Sequence, residues 1–285
     1  MKLLTPLECS IAVLLALATP TFAAQKILDY SFNDVGHQTA SGRGAVEAMP
    51  LDMLSKDGQP MDLRSEDGEG VSGKPGDKSL NLTSADAMGG DELGGRGPVA
   101  SASNETDLFG GLQSYTISGW LKCEGAEVER VARLINFSTS TETHEKLALL
   151  DLMSTITPGS LLLAVRPDGD LPEDIVIKSR GGFKNKGRWM FFAVTYSQTE
   201  TGDGTVQFYA GSDGSSVTPC GSVAARAATP PLPSRVNVGN TRTRTKPFKG
   251  WLDNIRVHGS RNDASGALSQ EELEELRLKD VEGAQ

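Results

Sequence analysis

Cysteine is scarce. Only three occur in 285 residues, and Cys9 falls in a stretch expected to be removed. No CxxC pair or Cys/His cluster surrounds Cys123 and Cys220, which argues against structural zinc. The three histidines, His37, His144 and His258, lie far apart with neither HExxH nor HxH spacing, so zinc chemistry has no motif to rest on. A Gly-x-Ser-x-Gly elbow and a P-loop are both missing. No repeat of fixed period is visible, which excludes propellers and solenoids. Basic charge is in deficit: the formal net charge is −9. Duplex DNA and anionic membranes need basic residues to neutralise phosphate, so neither is an expected partner. Long apolar runs are lacking too. Ile11–Ala18 is too short to span a bilayer, and nothing later is longer.

That apolar run instead reads as the core of a signal peptide. Lys2 precedes it, and Thr21-Phe22-Ala23 supplies small residues for cleavage near Ala23. The expectation is a secreted, periplasmic or extracellular protein: residues 1–23 a signal peptide and residues 24–285 one domain of about 260 residues. Lys2 and Glu8 cancel, so the acidity survives processing. In an oxidising compartment Cys123 and Cys220 make an even count, which suggests a disulfide. The alternative is two separate buried thiols.

Strand signals dominate after Leu112. Tyr115–Cys123 alternates strictly, with Tyr115, Ile117, Gly119, Leu121 and Cys123 on one face and Thr116, Ser118, Trp120 and Lys122 on the other. Lys146–Met153 and Ser160–Val165 form a pair around a Thr-Pro-Gly turn at 157–159. Trp189–Tyr196 is nearly all apolar, as for a strand buried on both faces, and hairpins with Val206–Ala210. Ile27–Phe32, Val131–Phe137, Ile175–Ser179, Arg235–Gly239 and Trp251–Val257 complete the set. Residues from Asn33 to about Thr106 are rich in Gly, Asp, Ser and Pro and read as long loops with brief strands. One helix is expected, at the end: Ser269 and Glu272 have capping-box spacing, and Leu268 and Leu273 have that of a hydrophobic staple.

Four pieces in order resemble the laminin-G-like, concanavalin A-like jelly rolls: LDYSF, YTISGWLK, GRWMFFAVTYS with VQFYAGS, and FKGWLDNIRV with ALSQEEL. The resemblance spans most of residues 26–278. It implies an all-β fold, a two-sheet antiparallel jelly-roll β-sandwich with a short C-terminal helix. It leaves the ligand open, because that superfamily holds carbohydrate binders, adhesion modules, pentraxin-like proteins and glycoside hydrolases.

Asp253 shares parity with Trp251, Ile255 and Val257 and is expected to point inward. A buried carboxylate needs hydrogen bonds, a charge partner or a metal. One reading is a structural Ca²⁺ held with Asn33 and Asp34, as some carbohydrate-binding jelly rolls use an aspartate in a similar closing motif. The other is an aspartate capping backbone N–H groups at a strand kink. Trp120 is either a sugar-stacking platform or a tryptophan covered by a loop, as its recurrence in the resembling family implies. Arg242, Arg244 and Lys246 alternate within a basic stretch that includes Arg235 and Lys249; they form either an acidic-polysaccharide contact or a solvated face. Asn81, Asn104 and Asn136 begin glycosylation sequons.

The Glu-x-Asp-x-x-Glu strand of laminarinase-type enzymes is absent, as are the arginine-rich and Gln-Ile-His strands of jelly-roll lyases. Asp151 is the only carboxylate inside Lys146–Met153. The expected function is therefore non-catalytic binding of a glycan or an extracellular protein surface. A hydrolase or lyase on the same scaffold, or a structural envelope or matrix component, stands as the alternative.

Overall fold

The computed structural model describes residues 24–33, 39–42, 45–48, 51–83, 96–103, 109–123, 132–138, 148–154, 159–165, 175–183, 187–198, 202–226 and 235–283. The expected signal peptide, Asp34, His37, Asn104, His144 and the Thr157-Pro158 turn lie outside the described residues. In chain order the strands are β1 (Gln25–Tyr30), β2 (Thr39–Gly42), β3 (Ala45–Ala48), β4 (Asp52–Leu54), β5 (Leu80–Asn81), β6 (Val99–Ser103), β7 (Ser114–Cys123) and β8 (Arg133–Ser138). They continue as β9 (Ala148–Ser154), β10 (Leu161–Val165), β11 (Ile175–Lys178), β12 (Met190–Gln198), β13 (Asp203–Ser212), β14 (Ser215–Arg226), β15 (Arg235–Val238) and β16 (Gly250–Ser260). One helix, α1 (Gln270–Glu282), follows a short 3₁₀ turn at Ala264–Gly266.

The strands form two antiparallel sheets. The first runs β14-β13-β12-β7-β16-β1-β2-β3, with β5 also paired to β16; the second runs β11-β10-β9-β8-β15-β6-β4. The closing strand β16 lies between β7 and the opening strand β1. Alternation puts Leu28, Tyr30, Ile117, Leu121, Phe192, Val194, Tyr196 and Phe208 of the first sheet against Phe137, Leu152, Leu163, Val236 and Val238 of the second. Gly119 is small because β7 and its neighbours meet there: a Cβ would stand 2.6 Å from Ile255 Cδ1 and 3.1 Å from Phe192 Cζ.

Among several register shifts, the one in β16 bears on the expected site residues. A bulge lies between Asp253 and Arg256, and Asn254 takes φ 48 within it. Leu252 pairs Leu121 and Val257 pairs Ile117, both toward the inter-sheet core. Asp253 pairs Trp120 and Arg256 pairs Ser118, on the opposite face. The inward orientation expected for Trp251 and Asp253 is therefore corrected: the extra residue reverses which side chains face in.

That opposite face of the first sheet carries a second apolar layer. Trp120, Trp189, Phe191, Val217, Leu268 and Leu273 pack together there, with Trp251 and Leu276 partly buried against them. The segment before α1 is stitched to β7 through hydroxyls. Ser114 Oγ donates to Asp263 O and accepts from Gly266 N, and Thr116 Oγ1 donates to Gly266 O and accepts from Leu268 N. The capping box forms as its spacing predicts, with Ser269 and Glu272 bonding reciprocally. Further along α1, Glu274 Oε2 accepts Val217 N–H and Gln270 Nε2 donates to Val217 O, so helix side chains cap part of the β14 edge.

Asp280 closes the layer. Its carboxylate accepts Trp120 Nε1–H at 2.8 Å and both Arg256 Nη groups at 2.7 Å, in a site where Asp280 and Arg256 side chains are 3% and 11% exposed. Arg256 also meets Asp29 of β1 at 3.2 Å. Removing one member of a buried ion pair strands the other. Asp280→Ala is expected to cost about 3–5 kcal/mol in denaturant unfolding, whereas exposed Glu275→Ala stays within about 0.5 kcal/mol.

Candidate functional site

The outer face of the second sheet is built differently. Val236 and Val238 of β15 point into the core, so Arg235 and Asn237 point out. Asn237 is paired in register with Ser101 on β6 and with Asn136 on β8. Its Oδ1 accepts from Ser101 Oγ at 2.7 Å, and its Nδ2 donates to Asn136 Oδ1 at 2.8 Å and Ser138 Oγ at 3.3 Å. Asn237 is fully buried, and such a relay is stable only when every member is satisfied. The row continues in register to Asp52 on β4 and to Asp151 on β9. One layer along, Arg235 stands between Ser103 and Ser138. Its Nε–H is buried and meets no acceptor. Along β4, β6 and β15, Asp52 and Ser103 are exposed and Arg235 is part-exposed.

The sequence-predicted residues are spread over several places. Trp120 is fully buried and hydrogen-bonded to Asp280, so it presents no face to a sugar; α1 covers it together with Val71 and Leu268 of the neighbouring loops. Asp253 is fully buried, and its two oxygens accept Val71 N–H at 3.0 Å and Asn254 N–H at 2.7 Å. Burial, and then nearby Asp77, push its pKa well above the usual carboxylate range. Asn33 Oδ1 accepts Lys78 N–H at 2.6 Å. Among the described residues no group of three His, Cys, Asp or Glu side chains could hold a metal.

The basic stretch does not run as a strand. Arg244 takes φ 65, which breaks the expected one-sided alternation, and its Nη1 donates to Ser55 O. Asn240 organises the turn, its Oδ1 accepting both Thr241 N–H and Lys246 N–H. Arg242 is exposed at the tip. Asn136 is buried in the polar row, so its sequon is closed in the folded chain.

Cys123 and Cys220 are both free, which corrects the expected bridge. Two strands, β12 and β13, separate β7 from β14. At about 4.8 Å per strand that is roughly 14 Å, against the ~7 Å limit on a disulfide's Cα separation. Burial pushes each thiol up to about 11, so neither is a thiolate at neutral pH. Cys220 lines a cleft of about 460 Å³ with Arg180, Gly182, Gln207 and Gly221, where the segment after β11 meets β14.

No family model and no curated protein matches the chain. Solved structures share its fold. The botulinum neurotoxin serotype D binding domain is similar at 12% identity and a TM-score of 0.51, over 89% of this chain and 50% of that one. The binding domain of botulinum neurotoxin DC in complex with SialylT gives 12% identity and 0.50, over 89% and 51%. The chain thus spans about half the length of the toxin domains it matches. The CBM40 of the Ruminococcus gnavus IT-sialidase, bound to α2,3-sialyllactose, gives 16% identity and 0.42, over 58% of this chain and 83% of that one. The fold is a two-sheet antiparallel jelly-roll β-sandwich.

Two expectations follow. Asn237→Leu leaves Asn136 Oδ1 without its Asn237 donor and is expected to cost about 2 kcal/mol in urea unfolding, with Ser101→Ala costing about 1. Asp253→Ala orphans two buried N–H groups and is expected to cost about 2 kcal/mol, a fall of roughly 4–8 °C in Tm for a domain of this size. A calcium ion at Asp253 would instead let EDTA alone reproduce that fall in the wild type.

Proposed function

We propose that the chain is a non-catalytic binding module, exported from the cytoplasm, that takes carbohydrate on the outer face of its second sheet. The observation that carries this reading is the asymmetry of the two outer faces. The first sheet's is apolar beneath α1 and the 3₁₀ turn, with Trp120 and Phe191 fully buried. The second sheet's carries a buried row of amides and hydroxyls, Ser101, Asn237, Asn136 and Ser138, with Asp52 and Ser103 exposed and Arg235 part-exposed around it. The exposed and part-exposed polar groups at its margin suit the hydroxyls of a sugar. The expected leader, with its cleavage near Ala23, supports export.

Register argues against hydrolysis at this row. A glycosidase places two carboxyls about 5–9.5 Å apart. Asp52 and Asp151 occupy positions four strands apart in the order β4-β6-β15-β8-β9, or roughly 19 Å at the usual strand spacing. Toxin binding domains of the same fold are described in complex with SialylT and with rat synaptotagmin II, which supports binding as the use of the scaffold here.

A glycan array with polysaccharide pull-downs, run with and without Ca²⁺, tests the reading. The expected result is retention on at least one glycan class with no release of reducing ends. Uniform absence of binding overturns the carbohydrate reading; reducing-end release overturns the non-catalytic one.

A further inference from the structure

We propose that the cleft between the segment after β11 and strand β14 is a second binding site, which takes a small hydroxylated carboxylate. It is separate from the outer face of the second sheet. Strand β14 is the last of the first sheet and β11 the last of the second, so the cleft opens where the two edges meet. Arg180 N–H donates to Cys220 O at 2.7 Å and joins those edges. Against β13, strand β14 is bulged: Phe208 pairs Gly221 and Tyr209 pairs Pro219, which leaves Cys220 as the extra residue. Bulges recur beside ligand sites, where they re-aim side chains. The volume of about 460 Å³ falls within the ~300–1,000 Å³ of small-molecule sites.

The polar groups on its walls are open to solvent and unengaged. Arg180 and Ser222 are exposed, and neither side chain has a hydrogen bond or ion pair among the described residues. The N–H groups of Gly181 and Gly182 meet no acceptor among the described residues. Gln207 is part-exposed and held in place, its Nε2 donating to Gly221 O at 2.8 Å and Phe208 O at 3.2 Å. Two carbonyls demand the NH₂ end of the amide, so Oε1 is the end left over. Donors thus outnumber acceptors. A guanidinium with backbone N–H groups suits an anion, and the flat fork of arginine matches a carboxylate through two parallel bonds. Gln207 Oε1 calls for a donor, which a hydroxyl beside that carboxylate supplies. No acidic side chain lines the cleft among the described residues, so an ammonium ligand finds no counter-charge there. The Cys220 thiol, pushed up to about 11 by burial, adds no negative charge at neutral pH. A single cation in a chain of net charge −9 favours a monoanion over phosphate.

The test follows the isotope-labelled chain by NMR as galacturonate, glucuronate, gluconate or lactate is added, with galactose, the methyl ester of galacturonate and inorganic phosphate alongside. At least one acid is expected to shift the Gly181 and Gly182 amides and the Gln207 side-chain amide, and to bind about ten-fold or more tightly than galactose, the ester or phosphate. Arg180→Gln and Ser222→Asp, both at exposed positions, are each expected to weaken that binding about ten-fold or more with the unfolding midpoint unchanged. The first removes the fork, and the second sets a like charge on the β14 side. In a Cys123→Ser background the bound acid is expected to slow alkylation of Cys220. No shift with any of the acids, an equal response to galactose or the ester, equal binding of phosphate, or an unchanged affinity in Arg180→Gln overturns the inference. Shifts confined to the outer face of the second sheet overturn it as well, and speak for that surface instead.

Discussion

One buried carboxylate joins the three parts of the chain that make the sandwich what it is. Asp280, near the end of α1, accepts the indole N–H of Trp120 on β7 and the guanidinium of Arg256 on β16. Arg256 in turn reaches Asp29 on β1. The first strand, a central strand, the last strand and the terminal helix are thereby tied at a single point out of water. Charge attraction there is strong because the surroundings are poorly polarisable, and for the same reason an incomplete set is costly. The apolar layer of Trp120, Phe191 and Leu273 supplies the water exclusion on which the tie depends.

This arrangement seals the outer face of the first sheet with apolar side chains, whereas the outward row of the second sheet is made of buried amides and hydroxyls. The bulge at Asn254 is what permits it. Without the extra residue, Asp253 and Arg256 could not both lie under the helix while Leu252 and Val257 both fill the core. Asp253 then uses its oxygens to fix Val71 of the long loop before β5, so that loop helps to cover the same side. The second sheet lacks a comparable cover among the described helices and carries polar side chains on its outer face.

Much of the sandwich was readable from alternation. Leu28, Tyr30 and Phe32 are all buried as their spacing predicts, and the pair of β1 with β16 follows from the opening and closing signatures. The capping box at Ser269 was readable to the residue, because capping is local chemistry. Strand β14 was missed. Its run TPCGSVAAR lacks a β-branched pattern, and Pro219 argues against a strand except at an edge, where β14 lies. Asp253 was recognised as special, but its side was misjudged, since one bulge residue inverts parity and leaves no mark in composition. The polar row was invisible for another reason. Asn237 between two valines is readable as outward-facing, but its partners lie 101 and 136 residues away, and register over such distances comes from the whole sheet.

The order in which a ribosome delivers these pieces has a consequence. Trp120 emerges early, yet its indole partner Asp280 arrives 160 residues later, within the last turns of the chain. At roughly 5–20 residues per second, the nascent polypeptide spends about ten seconds or more with a large aromatic patch and a row of sheet neighbours waiting for their cover. Holding the clasp on α1 means that the layer over Trp120 cannot close before residues 270–282 have been made, so the residues that stabilise the finished sandwich are also among the latest of its parts to be joined.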